Sequence, residues 1–127
     1  MTDREDVRRI ALALPGVHQE EGQLGFLVDH PAKPKRFAWT WWERVQPRKP
    51  RVPRPEVLAV RVANQEEKQI VLASNPEKFF TEPHYNGFPA VLVRLPAVDA
   101  AELEELLINA WRCRASGSLI KELDRRG

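Results

Sequence analysis

Cysteine is nearly absent from this chain of 127 residues, which carries Cys113 alone. One thiol closes no intrachain disulfide and builds no cysteine-based zinc site within one chain. Long apolar runs are missing too, none approaching the roughly 20 residues of a membrane span. The six glycines are scattered, and Gly22 and Gly25 are too sparse to make a phosphate-cradling loop. No His-Glu-x-x-His or paired-cysteine spacing occurs, so the sequence calls for no metal and no cofactor. The opening Thr2-Asp3-Arg4-Glu5-Asp6 is polar and acidic where a signal peptide is basic and then apolar, so a cytoplasmic, non-membrane location is expected.

What is present is one domain's worth of chain, residues 1–127, with a net charge of +2. That near-neutrality hides a strong partition. Residues 1–32 carry a net of −3 and residues 62–127 a net of −2, whereas residues 33–61 hold nine basic side chains against two acidic ones. A basic segment between acidic flanks is the polarity expected where one surface meets a polyanion.

Val7, Ile10, Ala11 and Leu14 recur at helical spacing, with Thr2 and Glu5 at capping-box distance, predicting a helix from Asp3 to Leu14 that ends at Pro15-Gly16. Gly25–Val28 and Arg36–Trp42 read as antiparallel strands, the second placing Phe37, Trp39 and Trp41 on one core-facing side and Trp42 outward. Gln46–Pro55 holds four prolines and four basic residues, and reads as an exposed loop or wing that cannot carry a full ladder. A strand over Val57–Val62 follows, then a helix over Gln65–Leu72 capped by Asn64 and a turn after Pro76 holding Phe79 and Phe80. Ala90–Leu95 is a buried strand. Asp99 caps a helix over Ala100–Arg114, and Leu119, Ile120 and Leu123 suggest a last helical turn or two. Strands in a run with helices gathered at the ends predict an α+β fold: an antiparallel sheet with helices on one face.

Three stretches are candidates for chemistry. The basic segment offers Lys33, Lys35, Arg36, Arg44, Arg48, Lys49, Arg51 and Arg54 to phosphates, with Trp42 as the base- or sugar-contacting residue; the alternative is a solvated loop that protects a sheet edge. Pro83, His84, Tyr85, Asn86 and Gly87 form a turn into the core strand. His84, Tyr85 and Asn86 there either present a polar cluster to a small anionic ligand or only shape the turn. Cys113, between two arginines, reads as a packing residue whose pKa the arginines are placed to lower. A third use of the proline-rich loop is as a docking strand in a protein-interaction adaptor.

Ala13-Leu14-Pro15-Gly16, Phe37-Ala38-Trp39, the Phe79-to-Leu95 segment with Pro83, Tyr85 and Gly87, and Leu119-Ile120-Lys121-Glu122-Leu123 together resemble the small bacterial MmcQ/YjbR-like proteins. The resemblance spans essentially the whole chain. It implies a frataxin/CyaY-like α+β fold and DNA binding through a double-wing arrangement of hairpin and helix. Two departures matter. Ala115-Ser116-Gly117-Ser118 stands where relatives carry a basic Pro-Lys, and the Arg44–Pro55 insertion is longer and more basic, moving the expected phosphate contact to that loop. The reading is a non-enzymatic DNA-binding protein.

Overall fold

Asp3, not Thr2, starts the first helix. In the computed structural model, which describes residues 1–21 and 25–126, the Asp3 carboxylate accepts from the Glu5 and Asp6 amides while Asp6 accepts from the Asp3 amide. Thr2 is committed elsewhere, its buried hydroxyl donating to the Leu95 carbonyl at 2.8 Å. The resulting helix α1 (Arg4–Leu12) ends earlier than its periodicity suggests, because Pro15 removes a donor and Gly16 turns the chain at φ +68°. Gly22 lies outside the described residues.

The strands are β1 (Val17–Gln19), β2 (Gly25–Val28), β3 (Lys35–Glu43), β4 (Val52–Arg61), β5 (Phe79–Phe80) and β6 (Ala90–Arg94). They form one six-stranded sheet in the order β1-β2-β3-β4-β6-β5, with every neighbouring pair antiparallel. Three further helices are α2 (Gln65–Ser74), α3 (Ala100–Arg114) and α4 (Gly117–Arg126). Asn64 caps α2 through the Glu67 amide, and Asp99 forms a reciprocal capping box with Glu102 on α3. The turn expected after Pro76 is followed by a short strand, since Phe79 and Phe80 pair with Val93 and Leu92. The expected final turn or two is a ten-residue helix.

The main core lies between the sheet and the pair α1 and α3. Val7, Ile10 and Ala11 from α1 and Leu103, Leu107, Ala110 and Trp111 from α3 meet Phe26, Val28, Leu58, Val60, Val91 and Val93. Trp111 is wholly buried and its indole N–H donates to the Pro15 carbonyl at 3.0 Å, which fixes the α1 exit to α3. The α+β arrangement with helices on one face is as the sequence predicts.

Phe37, Trp39 and Trp41 of β3 do not share a face. A bulge leaves Phe37 opposite no residue of β2, because Phe26 pairs with Ala38 and Leu27 with Arg36. Phe37 therefore joins Ala38 in the helix-side core. Trp39 and Trp41 point to the other face, where Trp41, Val57, Ala59 and Leu92 form a second cluster with Trp39, Phe80 and Tyr85 against it. Two-residue alternation separates the clusters along β4 and β6.

Candidate nucleic-acid interface

The hairpin of β3 and β4 runs on beyond β6, whose pairing with β4 begins at Val57. Beyond that point β4 has one neighbour only. Trp41, Trp42 and Glu43 pair with Arg54, Pro53 and Val52, after an irregularity between Thr40 and Trp41 that frees the arm from the sheet's register. Prolines are tolerated in such a one-sided strand, where half of the amide donors have no partner strand. The proline-rich loop of the sequence is thus shorter than Gln46–Pro55: from Val52 onward it is strand, and the projecting arm is a two-stranded hairpin. A docking-strand role would have to use the edge of β4 before Val57 that faces away from β3, where Pro53 and Pro55 remove two amide donors.

Most of the wing's arginines hold the wing together. Arg44 donates through Nη1 to the Pro47 and Lys49 carbonyls at 3.2 and 3.1 Å, Arg51 donates to the Trp42 carbonyl at 3.1 Å, and Arg54 pairs with Glu43 at 2.7 Å. Among the described residues, the side chains of Arg48 and Lys49 have no such partner, and they sit at the tip. Trp42 is 39% exposed, whereas Trp41 is 8% exposed, so the outward tryptophan is the one expected.

Contiguity in sequence does not survive folding for the rest of the basic segment. Lys33, Lys35 and Arg36 lie at the start of β3 and the wing at its end, roughly 25 Å apart for eight residues of extended strand. Arg36 is bound bidentately to Glu20 at 2.7 and 2.8 Å and lies 5.7 Å from the Trp39 ring centre. Lys33 and Lys35 have no side-chain partner among the described residues. At the root of the wing, a groove of about 530 Å³ is walled by Trp41, Phe80 and Arg94 but also by Glu43 and Glu56, carboxylates that repel a phosphate.

The Pro83–Gly87 turn is a single 3₁₀ turn over Pro83–Tyr85 followed by Gly87 at φ +79°, the conformation that glycine supplies without strain. Tyr85 is drawn into the second cluster. Its hydroxyl accepts from Trp39 Nε1 at 3.0 Å and its carbonyl accepts from Lys68 Nζ at 2.6 Å. Burial raises the Tyr85 pKa and the Glu82 charge adds to it, only partly offset by the Trp39 hydrogen bond and by the charges of Arg51 and Arg36. His84 and Asn86 remain exposed, with His84 edge-on to Tyr85. No group of three or more potential metal ligands occurs among the described residues.

Several side chains of this open face escape a reading by motif. Arg94 stands 4.1 Å from the Phe80 ring centre and Arg61 stands 5.3 Å from that of Phe88, so arginines border the aromatic surface. Strand alternation is the signal that would have found them, since Arg61 has the parity of Val57 and Ala59. Lys68 gives no such signal: it is 1% exposed, on a helix whose Val71 and Leu72 pack against the main core.

Cys113 differs from expectation. Burial raises its thiol pKa by more than Arg61 and Arg114 lower it, and the thiol donates to the Asn109 carbonyl at 3.2 Å. No helix among the described residues is long and apolar enough to cross a membrane.

The fold has a counterpart in the crystal structure of a Deinococcus radiodurans protein with a DUF419 domain. The two superpose with a TM-score of 0.66 at 22% identity, covering 98% of this chain and 89% of that one. In sequence, uncharacterized proteins of Mycobacterium tuberculosis and Mycobacterium bovis are 39% identical over 69 residues, 54% of this chain and 54% of theirs. The chain therefore spans about half the length of the curated relatives it matches. The YjbR family model covers residues 12–113, from the end of α1 through the last turn of α3, and so takes in the whole sheet, the wing and the Pro83–Gly87 turn. On that coverage the chain belongs to the YjbR family.

Proposed function

We propose that this protein is a non-enzymatic DNA-binding domain whose wing lies against the phosphate backbone. The observation that carries the reading is the division of labour within the wing: Arg44, Arg51 and Arg54 brace the arm, leaving Arg48 and Lys49 at its tip for an external anion. A braced arm presents its charges with little ordering left to do on binding. Trp42, exposed beside them, meets sugar or base. Lys33 and Lys35, at the far end of β3, reach a separate group of phosphates.

Lys33, Lys35, Arg48 and Lys49, without a side-chain partner among the described residues, set the expected electrostatics. Neutralising about four phosphates gives a log-log salt slope of about −3.6 on duplex DNA and about −2.8 on single strands. Fluorescence anisotropy with labelled oligonucleotides measures it. Absence of binding at low salt, where even non-specific binders associate, would overturn the reading. So would binding indifferent to replacing Arg48 and Lys49.

A further inference from the structure

Phosphate contact does not account for the groove at the root of the wing. Trp41 and Phe80 wall it, their ring centres 5.4 Å apart and edge to face, and Val57 adds to its apolar lining. Its volume of about 530 Å³ suits a small planar molecule. Arg94 and Glu56 line the same groove from neighbouring strands, since Val57, the residue after Glu56, pairs with Arg94.

These two charges are not spent on each other. Glu56 is exposed, and its carboxylate has no partner among the described residues. Arg94 lies 4.1 Å from the Phe80 ring centre and donates through Nη1 to the Pro76 carbonyl at 3.3 Å, which fixes the guanidinium over the ring and leaves Nε and Nη2 without an acceptor among the described residues. Glu43, the second carboxylate, is engaged through Oε1 by Arg54 at 2.7 Å. Trp41 Nε1 is sealed from solvent and has no acceptor either.

Walls of mixed charge select against simple ions. Glu43 and Glu56 repel a phosphate and Arg94 repels an ammonium group, so the groove suits a neutral planar molecule with acceptors along one edge for a guanidinium and donors along another for a carboxylate. Guanine has that pattern: O6 and N7 are adjacent acceptors, which arginine takes as a pair, and N1–H and the 2-amino group are adjacent donors, which a carboxylate takes as a pair. The other three bases of DNA have no such pair of donors.

We infer that the groove binds a guanine base, as a free nucleoside or as an unpaired guanine of a strand held on the wing, with Glu56 on the N1 and 2-amino edge, Arg94 on the O6 and N7 edge, and the aromatic walls against the ring. The second source rests on the DNA-binding reading; the first does not.

Deoxyguanosine carries no phosphate and so tests the groove apart from the wing. In NMR of the full chain it should move the Trp41 Nε1–Hε1 and Arg94 Nε–Hε signals saturably, while deoxyadenosine, deoxycytidine and thymidine should bind at least about tenfold more weakly. Deoxyinosine, which lacks the 2-amino donor, and 7-deazadeoxyguanosine, which lacks N7, should each lose about tenfold, and these changes leave the protein itself untouched. Glu56→Gln should produce a similar loss from the protein side. No response to deoxyguanosine, or equal responses to all four nucleosides, overturns the inference whether or not DNA binds the wing. Saturable deoxyguanosine binding by a protein that binds no oligonucleotide upholds the inference and fails the DNA-binding reading. An oligothymidylate carrying one guanine separates the sources: moving Trp41 as deoxyguanosine does assigns the base to a strand, and moving only wing signals assigns it to the free nucleoside.

Discussion

Lys68 occupies a position where an ammonium group is expensive, and two carbonyls explain its presence there. Its Nζ donates to Tyr85 and Phe88, tying α2 to the turn that precedes β6. Lys68→Met keeps the side chain's length and removes both bonds, so a loss of about 2 kcal/mol is expected in urea unfolding. Burial lowers the Lys68 pKa below its ordinary 10.5. Between the lowered folded value and 10.5 the unfolded chain binds more protons than the folded one, so this residue's contribution to stability rises with pH there. The wild-type protein should show that alkaline gain and Lys68→Met should lack it. Cys113 supplies a second test at this scale: its raised pKa should make alkylation at about pH 8 slower than that of an unperturbed thiol. Because Arg61 lowers that pKa, Arg61→Gln should slow the reaction further.

Helices and their caps are legible from short stretches because their chemistry is local. Asn64 and Asp99 each accept from an amide three residues on, and the predicted starts of α2 and α3 match. The bulge at Phe37 was not legible, since it depends on how β2 and β3 register, and that single irregularity sends one aromatic to the helix-side core while two go to the other face. The wing was legible as a basic, proline-rich projection; which of its charges are used internally was not, because those bonds reach carbonyls brought close only by the hairpin. This yields a sharp expectation for the wing as an element. Replacing Arg48 and Lys49 with alanine should flatten the duplex salt slope by about 1.8 while leaving unfolding unchanged. Replacing Arg44 and Arg51 should instead loosen the hairpin and lower affinity through disorder of the arm.

Over the whole molecule, the chain's two ends meet around Gly16. Arg126 donates to the Ala13 carbonyl at 3.0 Å, and a Cβ on Gly16 would come within 2.8 Å of Leu119 Cδ1. The Leu119 side chain can move, but φ +68° is strained for any residue with a Cβ. Gly16→Ala should therefore cost roughly 1–2 kcal/mol, read as a lowered unfolding midpoint. The charge partition seen along the sequence also takes its meaning at this scale. The nine basic residues between positions 33 and 61 fold into a wing and a separate far-end group, so any nucleic acid touching both must lie along β3. The sheet's borders bear on how such a protein behaves when crowded. β1, with three residues, and β5, with two, are the outermost strands. Neither offers a ladder long enough to template another chain. A protein so bordered can keep a partly exposed aromatic sheet face without growing sideways into fibrils through either outermost strand.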